Sequence, residues 1–453
     1  MVSKIELDMA KEEAELKKQH DLQQVVDWAL EKKLALEEGR KNYDEICQQI
    51  TDYFCPNRDN FVVKRSPGED RTRRIYNPIG IQCVEQASAD LYGLLTDPSG
   101  YWFEFNFENQ DSMSDNMKYW LRKQSELIYE KLYAPAARAA QALARSYHDD
   151  LAYGTDIIYI GWNNDRACPL LQNLRLSECY IDEDDTGLVD TLIRCYELSV
   201  KSIKQLYPKA ELSFEMLEDI RKNKTEKKYK IIHAVFPSSE HTTKISKMLY
   251  TSLIFTEKDK VVLETSGYDE FPFAVCRWET APGEVYGRSK AMTAKADVLT
   301  LQLMTKEMLE SAQLANRPMM AIKHSEERLQ IPRITPGGYM EYEDEPPIAF
   351  NAGNNYKAAD DVIQRIEERV KHEFSLYRIN DLQGTHRTRE EILQRISEGT
   401  RLLGPVAGRQ MTEKLDVILL RVFNLCARNG VLEPPPEYVP FFDLKVVYNS
   451  PIA

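Results

Sequence analysis

The carboxylates best placed to do chemistry sit in one run. Asp182-Glu183-Asp184-Asp185 is followed by Gly187 and Asp190. Oxygen ligands at such spacing can hold a divalent cation, and a metal-dependent nuclease would use Asp182, Asp184, Asp185 and Asp190. The run is consecutive, however. Alternation along a strand sends neighbours to opposite faces, so a tight acidic turn is the simpler account. His148-Asp149-Asp150 is the nearest thing to an acid–base cluster; on a helix these neighbours face different ways, and solvated side chains are expected. The seven histidines do not pair at ligand spacings. The eight cysteines are scattered without a CxxC pair, which fits buried free thiols in a reducing compartment. No GxxxxGK[ST] loop, HExxH, GxSxG or strand-linked GxGxxG is present, and Gly287-Arg288-Ser289-Lys290 only echoes a phosphate loop. Nothing here nominates an enzyme, a metal or a cofactor.

Cations gather in two stretches. Residues 57–80 carry Lys64, Arg65, Arg71, Arg73 and Arg74 among Gly and Pro. The charges are not interleaved with aromatics, so a neighbouring acidic subunit is a better partner than nucleic acid. The second stretch, 378–387, holds Arg378, His386 and Arg387, with Arg389 just beyond. The whole chain nonetheless has a net charge of −13. A protein that grips DNA by neutralising phosphates is normally basic, so this is not an ordinary DNA binder. An acidic lining would suit a protein past which DNA must slide.

The elements that position these groups are legible in outline. At 453 residues, 43% hydrophobic and 29% charged, the chain exceeds one simple core, and two to four sub-domains are expected. No apolar run approaches the roughly 20 residues of a membrane span. Residues 1–53 read as helix, with the first forty a solvated face or frayed end. Helices follow near 81–95, 111–133 and 135–152, with a strand at Tyr101–Phe107. From Ile157 to Arg277 the chain is β-rich, with helical pieces at Val200–Leu206 and Phe214–Asn223. Ser289 caps a long helix, free of Pro and Gly to Ala315 and stopped before Pro318, roughly 40 Å long. Short strands at Met319–Lys323, Gly338–Tyr342 and Ile348–Phe350 precede a second helix from about Tyr356 to Leu376. Its stripe is Ile363, Ile366, Val370 and Phe374. Two long helices flanking a β insert suggest an antiparallel pair with the insert at its tip. Thr388-Arg389-Glu390-Glu391 is a capping box opening a further helix. Gly404-Pro405 should kink that helix and Gly430 should end it.

From about Asp97 onward the order and spacing of motifs resemble the portal, or head-to-tail connector, proteins of short-tailed bacteriophages. The residues that carry the resemblance begin with Trp102-Phe103 after Asp97-Pro98, Tyr153-Gly154-Thr155, and Arg277-Trp278-Glu279 leading to Gly283-Glu284-Val285-Tyr286-Gly287-Arg288-Ser289. They continue with Pro336-Gly337-Gly338, the Thr388 helix start, Leu403-Gly404-Pro405-Val406-Ala407-Gly408-Arg409 and Val447-Tyr448-Asn449-Ser450-Pro451-Ile452-Ala453. The match is looser before Arg40.

The resemblance implies an α+β, mainly helical portal fold, assembled as a ring of about twelve copies around a DNA channel. Residues 1–282 would be a wing, 283–317 the first stem helix, 318–356 a β-rich clip and 357–377 the second stem helix. Residues 378–387 would be the channel loop, and 388–453 a kinked helix returning to the wing. It implies a non-enzymatic portal vertex for double-stranded DNA packaging and ejection. The clip residues Arg333, Tyr339, Glu341, Tyr342 and Glu343 would dock the terminase large subunit and later a tail adaptor. Lys295, Glu307, Glu310, Glu367, Glu368 and Glu373 would belong to the stem, and Arg378, His386, Arg387 and Arg389 to the DNA-facing loop. Major capsid and scaffolding proteins would be further partners, with no membrane; the virion would be its location after assembly in the host cytoplasm. Twelve copies would sum to about −156, enough negative charge to keep a polyanion sliding. Family members usually continue past the Ser-Pro-Ile-Ala segment into a helical crown. This sequence stops at Ala453, so no C-terminal barrel is expected. A tail adaptor ring remains the alternative within structural proteins.

Overall fold

A computed structural model of the chain describes residues 4–107, 114–241, 245–317, 320–323, 339–342, 356–374, 406–436 and 444–449. It opens with α1 (Lys4–Phe54). The expectation that the first forty residues form a solvated face is corrected from residue 21 onward. Val25, Val26 and Ala29 are buried, with Leu22, Trp28 and Leu36 packed around them. These apolar positions recur at helical spacing inside a charged sequence, so one narrow stripe is enough to seat the helix. Arg40 completes the row. It lies 4.1 Å from the Tyr180 ring and donates to the carbonyls of Leu176 and Ser177.

The surface under α1 is a five-stranded antiparallel sheet in the order β4-β5-β6-β7-β8. Its strands are β4 (Cys179–Glu183), β5 (Val189–Ser199), β6 (Lys228–Pro237), β7 (Tyr250–Thr256) and β8 (Val262–Tyr268). Phe236, Leu253 and Phe255 face α1. On a second face Ile231, Ile254 and Leu263 pack with Val200, Ile203 and Met216 from α5 (Val200–Leu206) and α6 (Phe214–Arg221). Ser199 and Ser213 cap these two short helices, each accepting from a backbone amide three residues on.

The larger core gathers α2 (Ile79–Leu95), α3 (Asp115–Leu132), α4 (Ala139–Tyr153) and two smaller sheets. One sheet pairs β1 (Phe103–Phe107) with β12 (Leu444–Tyr448), antiparallel, so the end of the described chain returns to its first strand. The other has the order β3-β2-β9, from β2 (Thr155–Asn163), β3 (Cys168–Asn173) and β9 (Phe273–Arg277). Strand β3 went unread in the sequence: it is short, contains Pro169 and follows a turn in which Ala167 has φ 46°.

The two long helices are α7 (Lys290–Asn316) and α8 (Tyr356–Phe374). Between them β10 (Met320–Lys323) pairs in parallel with β11 (Tyr339–Tyr342). The last helical stretch runs through 406–409, a π segment (Gln410–Leu415) and α9 (Asp416–Arg428). Asn429 ends it, followed by Gly430 at φ 68°. The strand expected at Ile348–Phe350, the loop at 378–387, the capping box at Thr388 and the kink at Gly404-Pro405 lie outside the described residues. The fold is mixed helix and sheet, as the sequence implied.

Candidate functional site

Helix α7 is fastened at its start. The Ser289 hydroxyl accepts from the Met292 amide at 3.0 Å and donates to the Ala152 carbonyl at 2.8 Å. The Gly287 amide donates to Thr155 Oγ1 at 2.8 Å. The Tyr43 hydroxyl donates to the Tyr153 carbonyl. Ala291, Ala294, Val298 and Leu301 of α7 are buried in the same cluster as Ile363, Ile366, Val370 and Phe374 of α8. Lys290 Nζ lies 3.0 Å from Glu373 Oε1, and Arg369 Nη2 lies 2.7 Å from Asp297 Oδ1. The start of one helix therefore meets the end of the other, and the pair is antiparallel, as expected.

A polar clasp holds this pair to the body. Gln302 Oε1 accepts from the backbone amides of Tyr76 and Asn77 at 2.7 and 3.0 Å, while its Nε2 donates to the Asn77 carbonyl at 2.6 Å. Asn77 Nδ2 donates to Glu367 Oε1 at 2.8 Å. Beyond the clasp Leu303, Glu307, Leu309 and Glu310 of α7 are exposed, as is Val362 of α8. The β10–β11 pair follows at that far end.

The stem residues named from sequence divide into two sets. Lys295, Glu367 and Glu373 are used within the chain: Lys295 Nζ donates to Gln49 Oε1 at 3.1 Å, and the two glutamates bind Asn77 and Lys290. Glu307, Glu310 and Glu368 face solvent, Glu310 with Lys306 at 3.8 Å. Tyr339, Glu341 and Tyr342 lie on β11. Arg333, Glu343, Arg378, His386, Arg387 and Arg389 fall outside the described residues.

The acidic run straddles a strand end and a turn: Asp182 and Glu183 close β4, and Asp184 and Asp185 open the turn that follows. Asp184 Oδ1 accepts from the amides of Thr186 and Leu188 at 2.8 and 3.0 Å and from Thr186 Oγ1 at 2.6 Å. These bonds hold its carboxyl below the usual carboxylate range. Asp182 is 3.1 Å from Lys32 Nζ, Asp185 is exposed, and Asp190 Oδ1 accepts from Thr191 Oγ1 at 3.0 Å. They do not converge as the nuclease reading required. Among the described residues, the trio of possible ligands within 4.8 Å of one another is Asp150, Asp156 and Cys276.

That trio corrects the reading of His148-Asp149-Asp150 as solvated. Asp149 and Asp150 are buried, because α4 is covered on several sides and neighbours facing different ways all meet protein. Asp149 Oδ1 accepts from Arg58 Nε at 2.6 Å. Burial also lowers the basicity of His148. Asp150 lies 2.5 Å from Lys414 Nζ, with both side chains fully buried. Asp156 Oδ1 is 3.1 Å from the same ammonium. Gln410 Nε2 donates to Asp150 Oδ2 at 2.8 Å, Ser146 Oγ donates to Asp156, and the ammonium stands 4.4 Å from the Tyr147 ring centroid. Gln410 and Lys414, four residues apart on the π segment, reach one buried carboxylate. Burial would lower the Lys414 pKa, but Asp150 and Asp156 outweigh it and hold it raised. Burial, then the Asp150 charge, push Asp156 well above the carboxylate range. Lys414 is the cation these acids surround, so the centre is a structural ion cluster joining α4, β2 and the last helix. In the sequence Lys414 is one lysine among many; only its place in a strongly apolar helix could have flagged it.

A family model described as "Bacteriophage head to tail connecting protein" matches residues 29–453. The chain is 26% identical over 432 residues to a protein of Bordetella phage BPP-1 named "Probable portal protein", covering 91% of this chain and 77% of the relative. It is 24% identical over 446 residues to the "Portal protein" of Salmonella phage epsilon15, covering 92% and 77%.

Proposed function

The chain belongs to the bacteriophage head-to-tail connecting proteins, and on that premise we propose that its parts work as a portal at one capsid vertex. Copies of the chain, twelve in our reading, form a ring through which double-stranded DNA is packaged and later ejected. The observation that carries this is the antiparallel α7–α8 pair, clasped to the body at Gln302 and Glu367 and followed at its far end by a small strand pair. Residues 1–282 are the wing and 283–317 with 357–377 the two-helix stem. Residues 318–356 are the clip, where Arg333, Tyr339, Glu341, Tyr342 and Glu343 meet the terminase large subunit and then a tail adaptor. The chain from 388 returns to the wing. Its joint to the wing is the Lys414 cluster, a contact built for rigidity.

The work of translocation comes from an external motor, and the ring supplies geometry and field. A net charge of −13 per copy lines the assembly with negative potential, which weakens retention of phosphate. Arg378, His386, Arg387 and Arg389 of the channel loop make brief phosphate contacts inside that field. Capsid and scaffolding proteins hold the wing, and the assembled ring resides in the virion after assembly in the host cytoplasm. Among the described residues no helix is long and apolar enough to cross a membrane.

Imaging the purified protein and counting its symmetry tests the ring. Replacing His386 and Arg387 by Ala then tests the loop: DNA packaging or retention should change while rings still form. Failure of ring formation in that variant would instead assign these side chains to subunit contacts.

A further inference from the structure

The basic stretch at 57–80, for which the sequence favoured a neighbouring acidic subunit over nucleic acid, has no contact named for it by the portal reading. It is not a loose loop. Gln48 Oε1 accepts from three successive amides, Phe61, Val62 and Val63, at 3.0, 3.0 and 3.3 Å. At its other end Tyr76 and Asn77 are held by Gln302 and Glu367. Arg65 is committed to Asp52, and Arg71 Nη1 to the Pro56 carbonyl at 3.1 Å. What remains outward is a fixed surface of mixed kind. Lys64, Arg73 and Arg74 are exposed, with the Asp70 carboxylate close to Arg73. Val62 is 59% exposed, Val63 47% and Tyr76 42%. Preorganised apolar and cationic groups side by side are the composition of a protein-binding face, because a valine offers nothing to a phosphate.

The chain carries a matching surface of its own. On α7, Thr293, Ala296, Thr300, Leu303, Glu307 and Glu310 are all exposed and recur at three- and four-residue steps, so they share one row. The row begins with small residues, passes through Leu303 and ends in two acids. At 3.6 residues per turn it lies about a third of a turn from Gln302, the side chain facing the basic stretch. The two surfaces therefore point in different directions on one copy. Surfaces that complement each other yet face apart join copies head to tail, which closes a ring and does not make a two-fold dimer.

We propose that residues 62–76 of one copy dock on the outward row of α7 in the next copy, with Lys64, Arg73 and Arg74 against Glu307 and Glu310. Val62, Val63 and Tyr76 then cover Leu303 and the small residues above it. This rests on the ring reading and names the contact that closes it.

The test uses two full-length variants. In the first, Arg73→Glu and Arg74→Glu make the loop acidic; in the second, Glu307→Lys and Glu310→Lys make the row basic. Each alone sets like charges face to face in every contact, so each should lose at least tenfold in assembly by native mass spectrometry. Circular dichroism and thermal unfolding of the monomer should be unchanged. Mixed one to one, the variants restore opposite charges at every contact and rings should return, alternating in mass. Either variant assembling as wild type does would overturn the proposal. So would two folded variants whose mixture stays monomeric, or rings that form normally but lose affinity for duplex DNA, which would make the loop a nucleic-acid face. Wild-type protein that forms no rings at all would overturn the ring reading itself, and this contact with it.

Discussion

Gly154 and Gly287 stand back to back where the start of β2 meets the chain entering α7. A β-carbon on Gly154 would come to 2.6 Å from the Gly287 carbonyl oxygen, and one on Gly287 to 2.0 Å from the Gly154 oxygen. Gly154 also has φ 79°, which an L side chain rarely adopts. The Trp278 amide donates to the Gly154 carbonyl at 2.9 Å, so three motifs far apart in sequence close on one spot. Replacing Gly154 by Ala should destabilise by about 1–3 kcal/mol from backbone conformation alone, with the steric clash added. Gly287→Ala suffers the clash without the φ penalty. Urea unfolding of both variants checks this; wild-type midpoints would mean the backbones are not in contact.

The clasp at Gln302 should be worth about 1–3 kcal/mol, because Gln302→Ala leaves two amides without their acceptor. Hydrogen exchange at Tyr76 and Asn77 should rise in the variant. Unchanged exchange at both amides would show that the α7–α8 pair is held some other way.

The Lys414 cluster makes a sharper prediction. Lys414→Met leaves two carboxyls buried without their cation, and a loss of about 3–5 kcal/mol is expected. Replacing Asp150 by Asn should cost a similar amount, since Gln410 and Lys414 both bind Asp150 Oδ2. Chemical denaturation of the two single variants and of the pair should show strong coupling between them. Additive losses would contradict a shared cluster.

Asp156 gives a pH dependence. Its pKa is raised in the folded protein by burial and by Asp150, so the native state holds a proton that the unfolded chain gives up. Its stabilising proton is therefore fully retained below the ordinary carboxylate range and is lost as pH rises through the elevated folded value. Asp156→Asn mimics the protonated acid and should remove that part of the slope. Melting temperatures of wild type and variant, compared from pH 5 to about 9, should diverge in the variant's favour as pH rises. Parallel curves would show that Asp156 is ionised throughout.

His233 acts at the other end of the scale. Burial, with Arg194 nearby, lowers its pKa to about 4. The unfolded chain takes the proton first, so stability should fall as pH drops from about 6.5 to about 4. His233→Gln, still able to reach Ser252, should flatten that limb of the acid unfolding curve. A variant with the same acid slope as wild type would place the titration elsewhere.

The sequence by itself determined the long elements and the family. Ser289, the Pro-free stretch to Ala315 and the Ile363–Phe374 stripe set the two helices, because capping and periodicity are local properties. Motif order carried the family, since spacing along the chain survives where identity does not. The turn at Asp184 and Asp185 was legible for the same local reason, whereas Asp182 and Glu183 belong to β4. Tertiary structure alone decided which charges are buried. Asp149 and Asp150 looked solvated because burial depends on what the rest of the chain lays over a helix, and Lys414 is separated from Asp150 by 264 positions. The return of β12 to β1, the seating of α1 on the five-stranded sheet and the meeting of Gly154 with Gly287 are likewise long-range pairings. A window of sequence holds one side of each such contact, and the free energy resides in the other side being there.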